Sequence, residues 1–217
     1  MKTSSYIPAL RYHWLTGFYD FLLGITFPEK KIKQALIEQL NLTGNETILD
    51  FGCGTATLSI MIKKNFPSVR IIAIDVDDKV LSLAEEKIKQ AGEIIELKKY
   101  DGEDLPFNAC HCFDKIVSSL VFHHISTMRK RIILGQLPKL LKPKGEFHIA
   151  DFGKASSLYT KLAFAIFRRF DGEENTRVNA LGLLPEFIKE GGFQEVKITQ
   201  SFGTAYGTVY LIKSFNI

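Results

Sequence analysis

Ile48-Leu49-Asp50-Phe51-Gly52-Cys53-Gly54-Thr55-Ala56 runs from an apolar segment through two glycines straight into a stretch of helical period. The apolar run from Thr47 to Phe51 suits a strand buried on both faces of a parallel sheet. Beyond the glycines, Leu58, Met61, Ile62 and Phe66 recur at helical spacing until Pro67 stops the pattern. A strand that turns into a helix through glycines brings bare backbone amides to the carboxyl end of a sheet, where a ligand can approach closely. It is not a phosphate loop, because no Gly-Lys-Ser/Thr ending follows. The dinucleotide fingerprint fails too, since its third glycine would fall at Thr57. The loop therefore suits a ligand with less anionic charge than a pyrophosphate.

Working outward, short β-branched runs alternate with helical stretches, the pattern of βαβ units and a doubly wound parallel sheet. Strand two is expected over Arg70–Asp75, and Asp77 caps a helix whose inner face is Val80, Leu81, Ala84 and Ile88, closed by Gly92. Strand three, Glu93–Lys99, is polar enough for a sheet edge. Strand four spans Phe113–Leu120. A helical stretch covers Thr127–Leu141, in which Pro138 must kink the helix or begin a separate turn. Lys142-Pro143-Lys144-Gly145 reads as a turn into strand five, Glu146–Asp151. A short helix over Leu183–Glu190 precedes an antiparallel hairpin, Phe193–Phe202 and Ala205–Lys213, turning at Gly203-Thr204.

The whole chain, 217 residues, reads as one α/β domain. Residues 1–43 form an N-terminal helical lid and 44–154 the ligand-binding core; 155–180 are an inserted cap, and 181–217 the final helix and hairpin. Charge excludes little but favours no polyanion: 28 Lys and Arg against 24 Asp and Glu leave a net +4, so no nucleic-acid partner is expected. The three cysteines are too few for a disulfide framework and point to a reducing, cytoplasmic setting. The longest apolar run, Leu162–Phe167, is far shorter than a membrane span, and no signal peptide is recognisable.

Asp50, Asp75 and Asp101 each fall at or near the carboxyl end of a successive strand, the edge that forms the ligand crevice of an open parallel sheet. Asp75 lies about 20 residues past Gly54, where a carboxylate can accept ribose hydroxyls. Asp101 can accept from an exocyclic amine, and Asp50 can hold the loop or meet an ammonium. Such a rim repels a triphosphate and favours a nucleoside bearing positive charge.

ILDFGCGTA, IIAIDVD, YDGEDLPF and SSLVFHHI, in that order, resemble the class I S-adenosylmethionine-dependent methyltransferases over Ile48 to about Ile149. The similarity is greatest to the small-molecule branch that includes the ubiquinone and menaquinone biosynthesis enzymes. The resemblance implies a Rossmann-like sheet of seven strands with the last antiparallel. It implies S-adenosylmethionine as cofactor and S-adenosylhomocysteine as product. Asp50, Gly52 and Gly54 would then contact the methionine end, Asp75 the ribose, and Asp101 with Gly102 the adenine, with Cys53, Val76 and Ser118 as further cofactor-binding residues. Tyr19-Asp20 resembles a pair found in lids of this branch, and Tyr19 can close over a sulfonium; packing of an N-terminal helix explains the same aromatics equally well.

His123 and His124 follow strand four at the mouth of the crevice and are the candidate catalytic bases, with shaping of the strand-to-helix turn as the plainer role. Cys110-His111-Cys112 lacks the second ligand pair that zinc needs, so no metal is expected. Arg129, Lys130 and Arg131 read as a solvated helix face. Leu158–Phe170 suits the cap of a hydrophobic pocket, or else a helix lying on a membrane surface. The expected activity is methyl transfer to a small, apolar molecule. Its alternatives are a cofactor-binding subunit without turnover and another nucleoside-using transferase, such as one moving an aminopropyl group.

Overall fold

A computed structural model describes residues 27–154, 173–204 and 207–217. The expected lid residue Tyr19 and the expected cap helix Leu158–Phe170 lie outside them. α1 (Glu29–Leu40) buries Ile32, Leu36, Ile37 and Leu40, a stripe at helical spacing, and stops at Asn41 in the left-handed conformation. β1 (Thr47–Phe51), α2 (Thr57–Asn65), β2 (Arg70–Asp75) and α3 (Asp78–Ala91) follow as two βα units. The Asp77 side chain accepts the amides of Lys79 and Val80 to start α3, and Gly92 at φ +70° ends it.

β3 (Glu96–Lys99) is shorter than expected, because Glu93 is used up in the α3 terminus, its amide bonding the Ile88 carbonyl. β4 (Phe113–Ser119) leads through a 3₁₀ turn, Phe122–His124, to α4 (Thr127–Gln136). Pro138, which has no amide to donate, ends up in a separate 3₁₀ turn over Leu137–Leu140.

β5 (Leu141–Gly153) starts earlier than the sequence suggested. The expected turn residues Lys142–Gly145 lie within it as an irregularity in the pairing with β4: Phe113 pairs with Leu141 and Lys115 with Glu146, with Lys144 at φ +62° between. α5 (Glu173–Leu181), α6 (Leu184–Glu190), β6 (Gln194–Thr204) and β7 (Gly207–Phe215) complete the described chain. Gly203 and Thr204 are not the turn that the sequence suggested but belong to β6, paired with Thr208 and Gly207 of β7. The Thr204 hydroxyl donates to the Gly207 carbonyl at 2.9 Å.

The seven strands order as β3-β2-β1-β4-β5-β7-β6, with β1 to β5 parallel and β7 antiparallel to both neighbours. β3 is the edge, as its polarity suggested. On one face α1 and α2 cover Ile48, Ile71, Val117, Ala150 and Leu211. On the other, α4 and α6 bring Ile133, Leu134, Phe187 and Ile188 against Leu49, Ile116, Phe147 and Ile149. Each of these side chains is worth about 1.5–3 kcal/mol relative to exposure. Chain order reverses between β1 and β4, so the crevice opens beyond their carboxyl ends. No helix among the described residues is long and apolar enough to cross a membrane.

One expectation from the charged residues needs correction. Lys130 is fully buried rather than solvated, and Arg129 reaches the Gly102 carbonyl; only Arg131 lies on the surface, paired with Glu190 over the Phe187 ring. Cys110 and Cys112 are joined as a disulfide, their Cα atoms 5.1 Å apart, with His111 between them at φ +43° turning the chain back on itself. One such local link is not the framework that a small secreted domain uses. Among the described residues no cluster of three or more His, Cys, Asp or Glu is arranged to hold a metal.

Candidate active site

The bend after β1 is fixed by β2. The amides of Gly52 and Cys53 both donate to the Ile74 carbonyl at 2.9 Å, and the Gly54 amide donates to Asp75 Oδ2 at 2.9 Å. Asp75 Oδ1 accepts from Val76 and Asp77. One carboxylate thus organises the ends of two strands. Gly52 has φ +70°, and a Cβ there would fall 2.5 Å from Val121, so the bend presses directly against the turn that follows β4. Gly54 has φ +54° with open space where a Cβ would be. The bend needs glycine at both positions for its backbone, and at Gly54 it leaves room above the start of α2.

Asp50 is 1% exposed and points inward, accepting from Ser59 Oγ at 2.6 Å. Of the two roles open to it, the structure favours holding the loop over meeting a ligand directly. Burial pushes its carboxyl up to about 6 against the opposing effects of Ser59 and Lys33. Cys53 is buried beside it; burial, with Asp50 and Asp75 nearby, pushes its thiol well above the ordinary range, leaving it inert. Ser118 is also turned inward, its hydroxyl bonding the Phe51 carbonyl at 2.9 Å. Its neighbour Ser119 lies two residues past Val117, as Gly52 lies two past Asp50, the last paired positions of β4 and β1. Ser119 Oγ is buried without a hydrogen-bond partner.

Asp101 is exposed. Its Oδ1 accepts the amides of Glu103 and Asp104, which together with Arg129 hold its carboxyl below the usual range. Gly102 follows at φ +82°, its Cβ direction facing Val76 Cγ1 at 3.7 Å. Asp75, Val76, Asp101 and Gly102 therefore share one edge, with the glycine bend beside them.

On the other side of the switch point, His123 and Asp151 were not paired by sequence reasoning. Their Nδ1 and Oδ1 atoms are 2.8 Å apart, and both residues are buried. Asp151 closes the expected strand five, Glu146–Asp151, as Asp75 closes strand two, so the strand-end rule that singled out the other aspartates would have found it; β5 itself runs two residues further. Nothing in the sequence marked Asn175 and Asn179 on α5. Asn179 donates to Asp151 and to the Phe152 carbonyl, while Asn175 donates to the His124 carbonyl.

Residues 48–145 match the family model described as a methyltransferase domain. An uncharacterised methyltransferase of Schizosaccharomyces pombe is 32% identical over 123 residues, 52% of this chain and 41% of that protein. The chain thus spans less than half that relative's length. A demethylmenaquinone methyltransferase of Lactobacillus johnsonii is 24% identical over 188 residues, 77% of this chain and 76% of the relative. The crystal structure of the YcgJ protein of Bacillus subtilis shares the fold, with a TM-score of 0.69 at 15% identity, over 86% of this chain and 98% of the other.

Residues 48–145 thus match a methyltransferase domain, and the seven-stranded sheet around them is the Rossmann-like fold. The methyltransferase cofactor suits the residues present. The open space at Gly54 admits a chain of atoms over the bend, and the orphaned Ser119 hydroxyl beside it can accept from an ammonium. Asp75 ends β2 and Asp101 follows β3 on the same edge, and a carboxylate can accept from hydroxyls or an amine.

Proposed function

We propose that this methyltransferase moves the methyl group of S-adenosylmethionine to a small, apolar acceptor. The observation that carries the proposal is Asp75 bridging the end of β2 to the Gly54 amide, which sets a carboxylate and an open glycine bend side by side. Asp75 would accept the ribose hydroxyls, with Val76 packed beneath. Gly52, Cys53 and Gly54 would pass under the methionine end, held from inside by Asp50 and Ser118. Asp101 and Gly102 would meet the adenine. Tyr19, in the stretch expected to form a lid over 1–43, would close over the sulfonium.

Bound there, the cofactor supplies an electrophilic methyl group, and the protein's task is to align an acceptor with it and keep water away. Alignment of that kind is worth up to roughly 7–11 kcal/mol in well-oriented models. An apolar acceptor is supported by the composition of Leu158–Phe170 and by the name of the Lactobacillus relative, which gives demethylmenaquinone as what that protein acts on. The test is incubation of the full chain with methyl-labelled S-adenosylmethionine and extract of its source organism. Label is expected in an organic-soluble small molecule. Cofactor binding with no transfer would instead indicate a subunit without turnover.

A further inference from the structure

The fold leaves β3 open on one side. Among the described residues it pairs with β2 alone, in parallel, from Glu96 opposite Ile72 to Lys99 opposite Asp75. The Tyr100 amide donates to the Asp75 carbonyl at 3.1 Å, so Glu96 and Lys98, an even number of residues earlier, also turn their backbone groups toward β2. Leu97 and Lys99 turn theirs outward, where no described strand meets them. A row of free N–H and C=O groups is a template for another strand. The opposite edge is blunted: β6 pairs irregularly with β7 between Gln194 and Lys197 and again between Ile198 and Gln200, whereas β3 follows β2 without a break.

The side chains of β3 alternate between two faces. Ile95 and Leu97 pack with Ala84 and Ile88 of α3, and Lys99 on the same face pairs with Asp78. A groove of about 450 Å³ opens between α3 and this edge, with Leu81, Ser82 and Glu85 on one wall and Leu97 on the other. On the opposite face Glu96 and Lys98 stand 3.1 Å apart with their side chains 40% and 38% exposed, and Arg70 of β2 also reaches Glu96. Ile94, just before the strand, is 86% exposed, more than any other large apolar side chain among the described residues.

We propose that β3 pairs antiparallel with β3 of a second copy of this chain, about a two-fold axis at Leu97, so that two sheets become one. The charges select that register. An axis at Glu96 would set two carboxylates face to face and an axis at Lys98 two ammonium groups, and like charges directly opposite destabilise a strand pair. With the axis at Leu97, Glu96 of each copy stands opposite Lys98 of the other. Leu97 then meets Leu97 through both backbone hydrogen bonds, and Lys99 faces Ile95. Lysines on an edge strand ordinarily discourage pairing; Glu96 answers Lys98 in this register and in neither of the others. The axis is perpendicular to the sheet, so the two α3–β3 grooves come side by side and each copy covers the open flank of the other. A ladder this short makes a weak dimer that forms as concentration rises.

Sedimentation equilibrium of the full chain tests this between about 1 μM and 1 mM, where small interfaces associate. The wild type should rise with concentration from the mass of one chain to that of two and no further. Glu96→Lys and Lys98→Glu, each verified as folded by circular dichroism, should weaken self-association by about tenfold or more, because each sets like charges opposite. Mixed in equal amounts, the two variants should associate again, since every charged pair between them is then opposite in sign. The double variant, Glu96→Lys with Lys98→Glu, should pair with itself but not with fluorescently labelled wild type, a result that stands even if a single variant fails to fold. A wild type that keeps the mass of one chain throughout overturns the proposal. So does a dimer that both single variants leave intact, a mixture of the two that associates no better than either alone, or a double variant that pairs with wild type as readily as with itself.

Discussion

Asp75 Oδ2 accepts the Gly54 amide at 2.9 Å, so the carboxylate closing β2 is also what fixes the bend following β1. The two residues belong to adjacent strands, and neither strand end would keep its shape without the other. The side chain proposed for the ribose thus also supports the glycine bend. Losing it leaves a half-buried amide without its acceptor, at about 1–3 kcal/mol.

Gly52→Ala should destabilise the protein for two separable reasons. Positive φ costs roughly 1–2 kcal/mol for a residue with a Cβ, and the new methyl would lie 2.5 and 2.6 Å from the Val121 methyl carbons, an overpacking cost of about 1–3 kcal/mol. Urea unfolding should show a fall in midpoint, and adding Val121→Ala should recover only the overpacking share. Full recovery would show that backbone conformation is not at issue.

Asp50 makes stability depend on pH. Its folded carboxyl titrates at about 6 against an ordinary 3.8, so the folded state binds the proton more tightly. The contribution is complete below pH 4 and is lost as pH rises through 6. Asp50→Asn should therefore gain relative to wild type between pH 4 and 7, by up to ~3 kcal/mol. Unfolding curves across that window check it; parallel curves for the two proteins would contradict it.

Lys130 acts at the other end of the pH scale. Burial lowers its amine to about 8, with Asp151 opposing. The unfolded chain binds more protons above that value, so this group's burial penalty is relieved as pH rises from 8 toward 10.5. Lys130→Met should abolish that rise. It should also cost about 1–3 kcal/mol at neutral pH by stranding the carbonyls of Ile125 and Asn175.

Arg129→Ala should weaken S-adenosylhomocysteine binding by about tenfold or less, because the guanidinium steadies Gly102 through its carbonyl and favours the charged form of Asp101. Titration calorimetry would read the change as 1.4 kcal/mol or less. No change would show that this arginine does not support the adenine end.

The strands around the glycine bend could be read from the sequence because burial on both faces leaves an unbroken apolar run, and Asp77 and Gly92 mark their helix by cap chemistry alone. The start of β5 could not: Lys142–Gly145 has the composition of a turn, and only the pairing of Leu141 with Phe113 carries the strand back beyond it. Lys130 misled for a related reason. A run of three cations is usually solvated, and its burial depends on two carbonyls, Ile125 and Asn175, that local sequence cannot place beside it. The His123–Asp151 pair joins the ends of two strands, a tertiary relationship; the position of Asp151 was visible, its partner was not.

The most direct measurement is titration calorimetry of S-adenosylhomocysteine into the full chain and into Asp75→Ala, with circular dichroism verifying that both are folded. One-to-one binding by the wild type, weakened at least tenfold in Asp75→Ala, is the expected result. A folded wild type that gives no binding, or a variant that binds as tightly, would contradict the assignment of the cofactor to this bend.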